Sequence, residues 1–426
     1  MTATAQAAGR RPPKHRHVVA VTLGNGLAWY DFLSYAFFAA QIGRALFPKG
    51  AEGAQLLASL AAFGAGFLMR PVGALVIGRY ADRVGRKPAM LFTFMVLGIA
   101  MGGLALTPSY AQIGWGAPVL AVTFRLLQGF GVGGELGAST AYLAEAAPPK
   151  HRGLYISMQY MSQDAVGVVA SLLGFMLSLR LTPGQLDAWG WRAVFLVGVL
   201  IVPFGLIMRR SLPETLDAPE ALAPGEGVVR MDVRKAIVLG FVLIGFGSLV
   251  SYVLNYFTTY ASETLKVAAA LAFGTQIASS LASVISDPLG GWMSDRLGRK
   301  PVMLWTQLAT VLLAIPAYVA IAHYRTAPVM LGFAFVLSLI YGVGTNAVLV
   351  AVTEIMPKHQ RSVALGLAYS LGVALLGGSS QFMVAWLTKL TGSNLAPAWY
   401  LTAGSIPIVL AILVMPETAP LKLRKR

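Results

Sequence analysis

Long apolar runs alternate with short polar breaks along the whole chain, and most runs are long enough to cross a bilayer as a helix. The pattern predicts twelve spanning helices. In the first half they cover 18–46, 56–77, 88–106, 118–146, 154–179 and 191–208; in the second half, 236–260, 268–293, 301–322, 328–355, 362–390 and 397–415. The expected architecture is an all-α membrane protein with a tail at 1–17, a six-helix bundle at 18–208, a polar linker at 209–235, a second six-helix bundle at 236–415 and a tail at 416–426. The breaks on one side are short, so no extracellular domain is expected.

The polar breaks repeat. Gly78-Arg79-Tyr80-Ala81-Asp82-Arg83-Val84-Gly85-Arg86-Lys87-Pro88 returns as Gly291-Trp292-Met293-Ser294-Asp295-Arg296-Leu297-Gly298-Arg299-Lys300-Pro301, with Gly290 before it. Glu145, Lys150, His151 and Arg152 are echoed by Glu354, Lys358, His359 and Arg361, and Leu212-Pro213-Glu214-Thr215 by Met415-Pro416-Glu417-Thr418. Landmarks in the same order in both halves mean a duplication. Two homologous halves in a membrane protein point to a carrier with its site between them.

Composition narrows the class. The chain is 56% hydrophobic and 12% charged, too apolar for a soluble protein of this size. Its net charge of +16 raises the question of nucleic acid, but the distribution excludes it. About 24 of the 33 Lys and Arg lie in the tails and alternate breaks, about seven in the other breaks and about two inside helices. That asymmetry puts both termini in the cytoplasm of a multi-pass inner-membrane protein whose basic face meets anionic headgroups. There is no cysteine, which excludes disulfides and thiol chemistry. No cleavable signal, metal-ligand spacing or nucleophile–base set is readable, so neither an enzyme nor a cofactor is expected.

Ionisable residues within a span are costly and are functional candidates by default. Asp31 lies near the middle of the first helix; burial favours the protonated form of a carboxyl, so this residue is a candidate proton carrier or else a structural partner of a neighbouring helix. Arg125, Gln128 and Glu135 fall on roughly one face of the fourth helix. Arg125 presents a planar fork suited to a carboxylate; it either anchors substrate or forms a fixed pair with Glu135 or Asp31. Glu135 and Asp164 are further proton candidates, Gln159 and Gln163 lie one turn before Asp164, and Tyr35 belongs to an aromatic-rich first helix. Asn255, Tyr256 and Tyr260 in the seventh helix, Asn346 in the tenth and Gln381 in the eleventh are neutral pocket candidates. Asp287 and Glu354 read as gate or cap residues, and Arg70, before Pro71, as structural or gating. Every histidine falls in a tail, break or helix end, so a coupled proton must ride on a carboxylate.

The repeated breaks read as a conformational gate built from Asp82, Arg83, Arg86, Asp295, Arg296 and Arg299, with Glu145 and Glu354 nearby. Asp82 and Asp295 lie where a carboxylate can meet the positive N-terminus of a neighbouring helix.

With its duplicated G-x-x-x-D-R-x-G-R-K motif, six helices per half and central linker, the chain resembles the major facilitator superfamily over its full length. Gly24-Asn25-Gly26-Leu27-Ala28-Trp29-Tyr30-Asp31-Phe32, Phe67-Leu68-Met69-Arg70-Pro71-Val72-Gly73, Arg125-Leu126-Leu127-Gln128-Gly129 through Gly134-Glu135, and Trp189-Gly190-Trp191-Arg192 resemble the metabolite:proton symporter family within it. Ala62 to Pro71 and Thr353-Glu354-Ile355-Met356-Pro357 look most like citrate and tricarballylate carriers; Ser251 to Tyr260 look at least as much like the 2-oxoglutarate type. The resemblance implies proton-driven uptake of a small organic acid by a functional monomer, with Arg125 touching substrate and Asp31 coupling. Carriers of proline or betaine, or of shikimate, are the alternatives it leaves open. Asp287 departs from the citrate pattern, where an apolar residue is expected.

Overall fold

A computed structural model describes residues 15–50, 53–84, 86–133, 143, 151–210, 231–356 and 361–419. Helices dominate and no strand occurs among the described residues. The first half holds α1 (His15–Phe37), α2 (Ala39–Leu46), α3 (Ala54–Leu68), α4 (Arg70–Val84), α5 (Arg86–Leu106), α6 (Gly116–Gly133), α7 (Arg152–Arg180) and α8 (Trp191–Arg210). The second half holds α9 (Val233–Leu254), α10 (Ala269–Leu297), α11 (Arg299–Tyr324), α12 (Ala327–Ile355), α13 (Arg361–Gly372), α14 (Gly378–Thr391) and α15 (Ala396–Val414). Each of the twelve expected spans is mainly helical over its described residues, with breaks inside some, which is the two-bundle fold read from the apolar runs. Among the described residues, eight runs are individually long and apolar enough to cross a bilayer. Large apolar side chains such as Leu75, Ile99, Leu200, Trp305 and Leu312 are exposed around the outside, as lipid-facing positions should be.

Some spans are built from two helices in series. The second breaks at Met69 because Pro71, at the second position of α4, has no backbone N–H to donate and its ring disfavours helical backbone at Arg70. That break sits against α6. A Cβ on Gly129 would collide with the Gly66 carbonyl, one on Gly73 with the Phe130 carbonyl, and one on Gly133 with the Arg70 carbonyl. Glycine therefore lets two backbones touch, and this contact sets the arginines of the two spans side by side.

The halves meet along two seams. On one, α7 runs antiparallel to α10, with Gly153 against Gly291, Gly167 against Ser280 and Gly174 against Phe273. On the other, α3 meets α14, with Gly64 against the Gly378 carbonyl and Gly378 against Phe67.

Both ends of the seam are clasped. At the basic-loop end, Asp295 of α10 accepts from the backbone N–H groups of Gly153 (3.1 Å) and Leu154 (3.3 Å) in the first turn of α7. This is the contact between a carboxylate and a helix N-terminus that the repeated motif suggested. Arg299, fully buried, holds Asp295 at 2.7 Å and reaches Glu354 at 3.2 Å. Glu354 also accepts from Thr418 Oγ1 at 2.7 Å, and Glu417 caps α11 by accepting from the N–H groups of Arg299 (2.9 Å) and Lys300 (3.1 Å). The Pro-Glu-Thr repeat thus has a use that spacing alone did not suggest.

Arg83 and Arg296 are exposed, Arg296 lying over the Trp292 ring, so neither joins the clasp. Arg70 lies in mid-bundle, away from both clasps, because the α3–α4 break turns it inward. Glu145 and Glu135 lie outside the described residues, as do the side chains of Asp82 and Arg86.

At the opposite end Arg44 pairs with Asp187 of its own half (2.8 and 2.9 Å) and with Glu263 of the other (2.7 Å). Its side chain is 38% exposed, so water screens this bridge and it holds the seam weakly.

Two outcomes follow from this packing. Gly129→Ala should destabilise the purified protein by about 1–3 kcal/mol through overpacking, read as a lower melting temperature. Gly332→Ala, on a helix with open space beside it, should leave melting unchanged or slightly raised. Because the chain lacks cysteine, Ser157→Cys gives one reporter thiol buried on the seam. Adding Asp295→Ala should speed its alkylation about tenfold or more, since hydrogen bonds to a charged group contribute about 1.5–3 kcal/mol. Adding Arg44→Ala should change the rate only a few-fold. Equal rates in the two double variants would show that Asp295 does not hold the seam.

Candidate functional site

Between the halves lies a cavity of about 110 Å³. Trp29, Gln163 and Asp164 line it from the first half; Tyr252, Asn255 and Asp287 line it from the second. Among the described residues its wall contains no Lys or Arg. Its chemistry is aromatic, hydroxyl, amide and carboxyl.

The arginines sit on the first-half side of an aromatic partition. Arg70, 3% exposed, lies over the rings of Phe67 (4.2 Å), Phe32 (4.8 Å) and Trp29 (5.0 Å). Arg125, 1% exposed, lies over Tyr35 (4.4 Å), Phe32 (5.0 Å) and Phe63 (5.2 Å). Phe32 is therefore flanked by two guanidinium groups, each attracted to an electron-rich ring face. Tyr252 of the second half packs edge-on against Phe67 (5.3 Å) and Phe32 (6.0 Å), which carries the aromatic layer across the seam. Trp29 and Tyr252 face the cavity on one side and this cluster on the other.

Hydrogen bonding in the cluster is incomplete. Arg125 Nη1 donates to Gln128 Oε1, one helical turn on. Among the described residues, Arg125 Nε and Nη2 and Arg70 Nε and Nη1 are buried without an acceptor, and both Asp31 oxygens are buried without a donor. Asp31 attracts Arg125 through space, beyond hydrogen-bond reach. Among the described residues, one acid thus acts on one of two buried bases. An unpaired ion buried away from water costs several kcal/mol, so the arrangement is poised to take an anion with more than one acceptor group.

The structure separates the sequence candidates into groups. Arg125, Gln128, Tyr35 and Asp31 come together in the cluster, joined by Arg70, which the sequence suggested as structural or gating. Tyr35 Oη donates to the Ser59 carbonyl at 3.2 Å. Gln163, Asp164 and Asn255 line the cavity, and Asn255 Oδ1 accepts from Gln276 Nε2 at 3.3 Å. Gln159 is fully buried and lies outside the cavity wall. Tyr256 and Tyr260 also lie outside it; Tyr260 stacks edge-on against Tyr318 at 5.4 Å and donates to the Asn394 carbonyl at 2.8 Å. Gln381 Nε2 donates to the Tyr252 carbonyl at 3.3 Å and so braces the partition. Asn346 donates to Asp287 Oδ1 at 2.7 Å and to the Gly342 carbonyl at 2.9 Å. Asp287 is a cavity residue rather than a helix-end cap, because α10 continues past it to Leu297.

Known proteins share this arrangement of helices. Residues 17–216 match the family model described as sugar (and other) transporter, and residues 248–426 the model of the major facilitator superfamily. The chain is 36% identical over 399 residues to a citrate-proton symporter of Klebsiella pneumoniae, covering 92% of this chain and 90% of that one. It is 31% identical over 401 residues to an alpha-ketoglutarate permease of Escherichia coli, covering 93% of each. It is 30% identical over 423 residues to a glycine betaine/proline/ectoine/pipecolic acid transporter of Dickeya dadantii, covering 95% and 84%. The crystal structure of a D-xylose-proton symporter superposes with a TM-score of 0.73 at 20% identity, over 95% of this chain and 98% of that one, a likeness of fold. The chain belongs to the major facilitator superfamily and, within it, to the metabolite:proton symporters.

Proposed function

We propose that the protein takes up a small di- or tricarboxylate together with protons, by alternating access, across the inner membrane of a bacterium. The observation that carries this reading is the pair of buried guanidinium groups of Arg70 and Arg125, both close to the Phe32 ring and each with two nitrogens lacking an acceptor among the described residues. A substrate with two carboxylates supplies those acceptors, and Arg forks match carboxylates in two-point fashion. The relatives named for citrate and alpha-ketoglutarate support the same substrate class.

Coupling follows from competition. Asp31 is the carboxylate that faces Arg125, and an ionised Asp31 offsets the charge the substrate needs. A proton on Asp31 frees Arg125 for substrate and removes a buried charge before the halves close. In this closed form the partition of Trp29, Phe32 and Tyr252 separates the cluster from the cavity, so substrate entry requires the partition to part. The clasp at Asp295 and the Arg44 bridge then mark the cytoplasmic and outer gates, and no cofactor other than the proton is required.

A second reading has its own support. The cavity wall carries acids and aromatic rings but no base, which suits the ammonium end of a betaine or proline. Reconstituted protein decides between them. Under an inside-alkaline pH gradient, labelled citrate or 2-oxoglutarate should accumulate, and a protonophore should abolish accumulation. Arg125→Ala should weaken apparent affinity by about 30-fold or more, since truncating one partner of a buried charged pair costs about 2–5 kcal/mol. Uptake indifferent to the gradient, or unchanged affinity in that variant, would refute the proposal. Competition by betaine and none by citrate would establish the second reading instead.

A further inference from the structure

Asp164 of α7 and Asp287 of α10 belong to opposite halves and touch. Their carboxyl groups are in hydrogen-bond contact across the seam. Asp287 is 2% exposed; its Oδ1 accepts from Asn346, and its Oδ2 has no donor other than an Asp164 carboxyl that carries a proton. Asn346 Oδ1, also buried, lacks a donor too. Both acids line the cavity, Asp164 with the larger exposure to it.

We propose that Asp164 and Asp287 hold a single proton between them, forming a proton-binding site that joins the two halves and is separate from Asp31. Two ionised carboxylates in contact away from water repel each other, whereas one shared proton converts the repulsion into a charge-assisted hydrogen bond. No base relieves the repulsion. The groups that face the pair are Tyr160 and Gln163 on α7, Tyr341 and Asn346 on α12, Tyr252 on α9 and Asn255 just after it, Gln307 on α11 and Tyr369 of α13. Among the described residues no Lys or Arg acts on either acid; Arg70 acts on Tyr252 and Tyr369 instead.

The location gives the proton a mechanical consequence. The pair sits on the α7–α10 seam, the same pair of helices that Asp295 clasps at the basic-loop end. When the shared O–H bond breaks, the proton passes from Asp164 to water in the cavity and two carboxylates remain. Their repulsion pushes α7 from α10. Binding a proton from the cavity reverses this and draws the seam together. The site is defined by the two acids alone. Its test needs no substrate, so it stands or falls independently of the carboxylate reading.

Infrared difference spectra of the purified protein in an Asp31→Asn background follow the carbonyl stretch of a protonated carboxyl as pH rises. Replacing either member of the pair by its amide removes the repulsion that makes the last proton hard to lose. Asp164→Asn and Asp287→Asn should therefore each lower the pH at which the band disappears by more than one unit, a tenfold loss of proton affinity. The double variant should lose this band entirely. Asn346→Leu removes a donor that favours ionised Asp287, and should move the transition to higher pH. A purely structural pair would not shift in opposite directions in these variants. An unchanged midpoint in both single Asn variants overturns the proposal, and so does a band that vanishes at fixed pH when choline chloride is replaced by sodium chloride, since the site would then hold a metal cation. If the Asn variants do not fold, absence of the upward shift in Asn346→Leu overturns it equally.

Discussion

The low dielectric of a helical bundle forces every buried ion to find a counter-charge, a dipole or a proton, and this requirement shapes the whole molecule. At the basic-loop end the requirement is met in full. Arg299 has two acids, Asp295 also has the first turn of α7, and Glu354 also has Thr418. In mid-bundle it is met only in part. Two guanidinium groups lean on aromatic faces with one acid acting on Arg125, and two acids on the far side of the partition have no base among the described residues. Apart from Asp31, which stays beside Arg125, cations and acids lie on opposite sides of Trp29, Phe32 and Tyr252 rather than paired. A protein built only for stability would bring them together.

Backbone contact makes that sorting possible. Gly66, Gly73, Gly129 and Gly133 bring the second and fourth spans so close that no β-carbon fits between them. Arg70 and Arg125 are consequently held from one side by carbonyl-to-glycine contacts and from the other by rings. The seams use the same device less severely, with Gly153, Gly167 and Gly174 on α7 and Gly64 and Gly378 across α3 and α14. Within a half the fit is tight. Between halves the contact is held by polar clasps at the two ends of the seam, of which the Arg44 bridge is open to water.

Sequence reasoning reached some of this and missed the rest for identifiable reasons. The twelve apolar runs, the duplication and the role of Asp295 at a helix N-terminus were legible because each is a local pattern repeated at a fixed offset. Arg125, Gln128 and Asp31 were legible because a charged residue in an apolar run is conspicuous. The meeting of Asp164 with Asp287 was not, because it depends on which helix of one half faces which helix of the other, and periodicity carries no such information. Arg70 was read as a gate because its position along the span was visible while its rotation was not; the break at Pro71 sets that rotation. Tyr256 and Tyr260 looked like pocket residues for their chemistry, yet they pack away from the cavity against Tyr318 and the loop at Asn394.

On the proposed reading, the two charged sets of this bundle offer a substrate two different surfaces. An anionic group is drawn toward Arg70 and Arg125, a cationic one toward Asp164 and Asp287, and the partition between them decides which surface a substrate meets first. Small changes in the rings of Trp29, Phe32 or Tyr252 would then shift selectivity without altering either charged set. Changes at Arg70 or Arg125 would act on affinity for an anion, and changes at the acids on coupling, because a proton gained or lost at an unpaired acid alters how strongly the halves attract. Selectivity and coupling are thus placed on different residues of one seam, which allows one to vary while the other is kept.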